Sequence, residues 1–178
     1  PKCMRVQWAD KRKIPGQNMT VEQFRKIVNY FRYIHFCGQI SDPIFNPNLI
    51  TFLSMCKDAN KGSTMHTAAS QRPISWYKEA FDTNPDTRWI FGLDGLPEES
   101  CMYRVNQDGE KLFEAMKMGA KKGLQIDWQY IVFSYNEDHV EEAYNMAKDN
   151  GIQFIVNYSG RWTSEQDPYK PRNPKFST

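Results

Sequence analysis

An alternation is what most constrains this chain. Five short, nearly continuous apolar runs at 33–37, 63–67, 88–93, 128–133 and 152–156 are separated by stretches with helical periodicity. The runs are rich in β-branched and aromatic residues and are too short for core helices, so they suit strands covered on both faces. The predicted order is a helix, then a strand and a helix four times over, then a last strand. Such βα repeats imply a parallel sheet with right-handed crossovers. That sheet either curves toward a barrel or forms a doubly wound layer, and both place their chemistry at the C-terminal ends of the strands. The chain starts in a long loop ahead of its first helix, so a strand is expected to be missing from the front.

The helices carry their own punctuation. Thr20 with Gln23 forms a capping box ahead of Val21, Phe24, Ile27, Val28 and Phe31, which share one face. Asn46 and Pro47 are expected to cap and open a helix bearing Leu49, Phe52, Leu53 and Cys56, which Asn60-Lys61-Gly62 stops. Pro73 opens a shorter one with Trp76, Tyr77, Ala80 and Phe81. Asp108 precedes Leu112, Ala115, Met116 and Gly119, and Lys121-Lys122-Gly123 ends that helix with cations and a glycine. Asn136-Glu137-Asp138 is expected to open the last helix, which stops at Asn150-Gly151. Residues 159–178 hold Pro168, Pro171 and Pro174 with little apolar content, the composition of a linker or a packed tail.

Composition narrows the function classes. A chain of 178 residues suffices for one domain with a real core. Its 23 basic and 21 acidic residues nearly cancel, so no broad basic face for nucleic acid is expected. No apolar run approaches the ~18 residues that cross a bilayer, and the given residues hold no signal-peptide pattern, so a soluble protein with no membrane partner is expected, while a targeting segment upstream of Pro1 would not show here. Cys3, Cys37, Cys56 and Cys101 are too scattered for a zinc site or a disulfide framework, which favours a reducing, cytoplasmic setting. Phosphate-binding, nucleophile-elbow and HExxH metal motifs are all missing from the sequence.

Several short segments fall at the predicted strand ends. Pro1-Lys2-Cys3-Met4-Arg5 opens the chain, and His35-Phe36-Cys37-Gly38-Gln39-Ile40-Ser41-Asp42-Pro43 follows the first run. His66-Thr67-Ala68-Ala69-Ser70 follows the second, and Trp89-Ile90-Phe91-Gly92-Leu93-Asp94-Gly95, with Tyr103-Arg104 beyond it, spans the third. Ile131-Val132-Phe133-Ser134-Tyr135-Asn136-Glu137 closes the fourth. In this order the segments resemble the core of radical S-adenosylmethionine (radical SAM) enzymes, nearest to the peptide-modifying and sulfatase-maturing branches. The resemblance runs from Cys3 to about Tyr158.

It implies an α/β fold, a partial (β/α)6 TIM-like barrel whose first strand is missing here, with 1–158 as the core and 159–178 as a Pro-rich tail or linker. It also implies the end of a C-x-x-x-C-x-x-C loop, with Cys3 as a metal ligand of a [4Fe-4S] cluster and the other two cysteines upstream. Thiolates suit that role because soft, deprotonated sulfur binds cluster iron well. Gly38 to Pro43 matches G-x-x-G-E-P, with Ser41 for the second glycine and Asp42 for the glutamate that would receive the cofactor ammonium. Thr67 and Ser70 fall where methionyl or ribose contacts are made. Asp94 would meet a ribose hydroxyl or substrate, and Arg104 would clamp the cofactor carboxylate with its fork of donors. Ser134 and Asn136 are candidates for adenine or ribose contacts, although Asn136 also suits a plain N-cap. Gly92 stands where the family pattern has serine, and a buried apolar role is expected for Cys37.

The implied reaction is cluster-dependent reductive cleavage of S-adenosylmethionine to a 5′-deoxyadenosyl radical that takes a hydrogen atom from a substrate, with a peptide among the candidates. A flavodoxin- or ferredoxin-type reductant is implied with it. Two other readings stay open. One is a cluster-free βα-repeat binding or scaffold protein, a degenerate relative; the other is a small-molecule enzyme using Asp42 and Asp94 as acid and base.

Overall fold

The structure, a computed structural model, describes residues 16–38 and 41–176. Cys3 lies outside them. Helix α1 (Val21–Tyr30) leads into β1 (Tyr33–Phe36), and the chain then alternates through α2 (Leu49–Asp58), β2 (Gly62–Thr67), α3 (Ile74–Thr83), β3 (Arg88–Gly92), α4 (Gly109–Lys121), β4 (Ile126–Ile131), α5 (Val140–Asp149) and β5 (Gln153–Asn157). All four strand pairings are parallel, and the spatial order is β1-β2-β3-β4-β5. A doubly wound sheet reverses its order at a switch point, so this sequential order selects the barrel-type winding of a partial TIM-like barrel.

Register decides what each face carries. Pairing of Thr64 with Arg88, Ile90 with Asp127 and Ile131 with Asn157 puts His35, His66, Arg88, Ile90, Asp127, Gln129, Ile131 and Asn157 on one face. The alternate set, Ile34, Phe36, Met65, Trp89, Phe91, Trp128 and Tyr130, is buried under the helices. There Phe24 stacks on Phe52 at 4.3 Å, and Phe81 meets Trp89 edge-on at 5.1 Å. Consecutive helices α1 to α4 lie side by side over this layer. Each buried ring removes apolar area from water at ~25 cal/mol per Å².

The helix ends follow local chemistry. Both bonds of the Thr20–Gln23 capping box form, and the Asp108 carboxylate caps α4 by accepting the Lys111 N–H at 3.0 Å. Three of the boundaries that differ from the sequence expectation have a visible cause. Helix α2 starts at Leu49, because Asp42 caps a 3-10 turn at Pro43–Phe45 and Asn46 Oδ1 accepts the Asn48 N–H at 2.9 Å, forming a separate turn. Strand β4 begins at Ile126, two residues early, because Asp127 is accommodated in the buried strand by Arg88, whose Nε donates to Asp127 Oδ2 at 2.7 Å. A 3-10 turn at Glu137–His139 precedes α5, and the Glu137 carboxylate is turned instead to the tail.

The tail is packed. The Glu137 carboxylate accepts the N–H groups of Arg172 and Asn173 at 2.9 and 2.8 Å, and the Ser134 N–H donates to the Tyr169 carbonyl at 3.1 Å. Phe176 is buried at the end of this strap. Among the described residues no helix is long and apolar enough to cross a membrane.

Two substitutions test this architecture. A Cβ on Gly119 of α4 would lie 2.6 Å from Ile126 Cδ1 and 3.2 Å from the Phe81 ring. Gly119→Leu should therefore lower the urea-derived unfolding free energy by about 1–3 kcal/mol through overpacking. On the other face, burial first, and then the positive charge of His35 and Arg88, lowers the His66 pKa below its ordinary 6.5. The neutral imidazole then contributes stability that is present above pH 6.5 and is lost as pH falls below it, where the unfolded chain protonates first. His66→Gln should flatten the acid limb of a stability-against-pH curve measured from pH ~7 to ~5.

Candidate functional site

The strand C-terminal ends are organised by one buried carboxylate. Asp94, just past β3, is fully buried; its Oδ2 accepts from Arg104 Nε at 2.7 Å and its Oδ1 from the Ile131 N–H at 3.0 Å. Its backbone carbonyl accepts the Tyr135 hydroxyl at 2.7 Å. Burial pushes the Asp94 carboxyl pKa up, and the Arg104 guanidinium with the Ile131 N–H pulls it back. Asp94 is thus a buried, hydrogen-bonded carboxylate paired with an arginine whose side chain is 27% exposed.

The Arg104 end groups pass over Gly92. A Cβ there would sit 3.0 Å from Arg104 Nη2 and 3.2 Å from the Ala68 Cβ, so a side chain at 92 would press on the end of the guanidinium. Gln107 holds the floor beneath it. The Gln107 amide nitrogen donates to the carbonyls of Ala68 at 2.6 Å and Gly92 at 2.9 Å, tying the tips of β2 and β3 together. Beyond Arg104 opens a cavity of about 580 Å³, lined by Tyr103, Gln129, Phe133, Asn157 and Arg161 among others.

The loop after β1 makes a second clasp. Asp42 Oδ1 accepts the Thr67 hydroxyl at 2.9 Å and the Ile44 N–H at 3.2 Å, while Oδ2 accepts the N–H groups of Ala68 at 2.9 Å and Ala69 at 3.2 Å. Four donors match the lone-pair capacity of a carboxylate. Ser41 lines a separate, more apolar groove of about 440 Å³ with Phe24, Ile34 and Leu49, and Gly38 lies between the two hollows.

The remaining sequence candidates shape loops. Ser70 is buried, and its hydroxyl accepts the Asp108 N–H at 2.7 Å, locking the β2–α3 connection to the start of α4. The Ser134 hydroxyl donates to the Pro168 carbonyl. Asn136 is fully buried; its Oδ1 accepts the Phe133 N–H at 2.7 Å and its amide donates to the Ile131 carbonyl at 3.0 Å. It makes no side-chain N-cap bond, so its work is inside the loop.

Cysteine gives a mixed outcome. Cys37, expected to be buried, is exposed, because it follows the last residue of β1 where the chain leaves the sheet. Cys56 is buried on the inner side of α2, and burial pushes its thiol up to about 11, so it is an apolar packing residue. Among the described residues no three His, Cys, Asp or Glu side chains converge as a metal site, so none of these residues supplies a set of cluster ligands.

Against this geometry, no protein-family model and no curated protein matches the sequence. Solved structures do match. Streptococcus suis SuiB bound to precursor peptide SuiA superposes with a TM-score of 0.69 at 14% identity, over 97% of this chain and 39% of that one. The S-adenosylmethionine-bound form of SuiB gives 0.68 at 13% identity, covering 89% and 39%. Native anSMEcpe with bound AdoMet and the Kp18Cys peptide gives 0.59 at 16% identity, covering 90% and 47%. These neighbours are radical SAM peptide-modifying enzymes, and this chain has the fold of their core, as the sequence resemblance implied. It spans less than half the length of each.

Gln107, Gln129, Asn157 and Arg161 were missed in the sequence. Arg161 left the one usable signal, an arginine just past a strand C-terminus.

The buried pair yields a prediction. Asp94→Asn leaves Arg104 without its counter-ion and should cost about 2–4 kcal/mol in chemical denaturation. Arg104→Met in the same background should return part of that loss, since removing both charges is far cheaper than removing one.

Proposed function

We propose that the chain is the core of a radical SAM enzyme that acts on a peptide. The observation that carries this reading is the Arg104 guanidinium, held by buried Asp94 at the strand C-terminal mouth of a 580 Å³ cavity. A guanidinium whose Nε is already committed still presents its Nη donors as a fork for a carboxylate, here the methionyl carboxylate of S-adenosylmethionine. Asp94 then serves as the residue that positions Arg104, rather than as a ribose ligand. Thr67 and Asp42 hold the neighbouring loops together, and Ser70, Ser134 and Asn136 set the shapes of the connections around the cavity. The residues present thus fit the cofactor carboxylate, while the cluster would depend on Cys3 and on further cysteines outside the described residues.

When bound, the reduced cluster and S-adenosylmethionine would supply a carbon radical able to take a hydrogen atom from substrate, with a flavodoxin- or ferredoxin-type protein as electron source. The protein's own share is to hold cofactor and peptide in register and to keep water out. The neighbours' structures with bound AdoMet and peptides support both ligand classes. A cytoplasmic setting suits this chemistry, since a reduced cluster needs a reducing compartment. One observation favours the rival reading of a cluster-free binding protein: Asp42 already has four donors, leaving little capacity for an ammonium group.

Electron paramagnetic resonance decides between the two. The complete gene product, reconstituted anaerobically with iron and sulfide and then reduced, should give a [4Fe-4S]⁺ signal that changes when S-adenosylmethionine is added. A folded protein with no cluster signal would leave the binding-protein reading. Arg104→Gln should weaken S-adenosylmethionine binding by about tenfold or more in equilibrium dialysis, the worth of a charge-assisted bidentate contact.

A further inference from the structure

The cavity has a second cation that the cofactor reading does not use. Arg161 lines it together with Arg104, and among the described residues its side chain meets no carboxylate. Arg104 is neutralised by Asp94, and no Asp or Glu lines the cavity among those residues, so the wall carries one uncompensated positive charge. The Arg161 backbone N–H donates to Ser159 Oγ at 3.3 Å, a turn that brings the residues after β5 round to form this wall.

The floor adds a second, independent feature. Gln129 and Asn157 project from β4 and β5, and their carboxamides have no hydrogen-bond partner among the described residues. A carboxamide offers a donor and an acceptor side by side, the complement of a peptide group and a poor match for a bare anion. Tyr103 and Phe133, stacked at 4.2 Å, give the same cavity an apolar wall on which a chain can lie.

We propose that this cavity binds an acidic peptide, with a Glu or Asp side chain of the substrate on Arg161 and its backbone amides on Gln129 and Asn157. This deepens the peptide reading given above and rests on it for the cofactor's place on Arg104. Arg161 is thus a specificity residue that selects a carboxylate in the substrate, while Arg104 serves the cofactor.

The test is fluorescence anisotropy with two labelled Gly/Ser/Ala peptides that differ only in a central pair of glutamates or glutamines. The glutamate peptide should bind about tenfold more tightly at low salt, and the advantage should shrink as ionic strength rises. Arg161→Gln should abolish the preference while leaving the melting curve and S-adenosylmethionine binding unchanged, and Arg161→Lys should keep part of it. Equal affinity for the two peptides, or a preference that survives Arg161→Gln, overturns the proposal. Free glutamate competing as well as the peptide overturns its peptide part. Loss of the cluster signal with the glutamate preference intact would remove the radical reading and leave this acidic-peptide site standing; a cofactor-responsive cluster with no preference would do the reverse.

Discussion

The mouth of this barrel depends on a carboxylate that water does not reach. Asp94 gathers a guanidinium from the loop after β3, an N–H from the end of β4 and, through its backbone carbonyl, the hydroxyl of Tyr135 from the next connection. An unpaired charge buried at that depth would be very costly, so these partners are bound to it as much as it is to them. The loop after β3 and the stretch at the end of β4, 37 residues apart at Asp94 and Ile131, are thereby fixed relative to one another, and the direction of Arg104 follows from that. Ordering a ligand-facing arginine in advance spares the entropy that a free side chain would lose on binding.

The fold was legible because its signals are local and repeated. The five apolar runs and the glycine, proline and Asx punctuation between them predict the element order seen, and the parallel topology follows from their alternation with helices. Barrel winding could not be separated from a doubly wound layer, since strand order is a long-range property that no window of sequence carries. Two of the boundary differences share a cause, a polar residue spent on a distant partner. Asp127 entered a strand because Arg88 neutralises it, and Glu137 left the helix start because the tail N–H groups claim it.

The site was legible as a set of positions and less so as a set of roles. Asp42, Thr67, Asp94 and Arg104 do fall at the strand tips, where short motifs with fixed spacing put them. Their partners were not legible. Asp42 carries four donors across two loops, and Gln107, which ties two strand tips, has no periodic or motif signal at all. Arg161 left only its place just past a strand end as a signal, since an isolated arginine in a proline-rich stretch otherwise looks the same in sequence whether it faces solvent or a cavity.

Gly92 carries a consequence for how such a sequence can change. The end of the Arg104 guanidinium rests beside the place a Cβ would take, with Nη2 3.0 Å from it. A side chain there is accommodated when the far end of the arginine gives by a few tenths of an ångström, which shifts its grip on Asp94. The two positions, twelve apart in sequence, are therefore coupled through one flexible side chain, and an exchange at position 92 is felt first in where the guanidinium points.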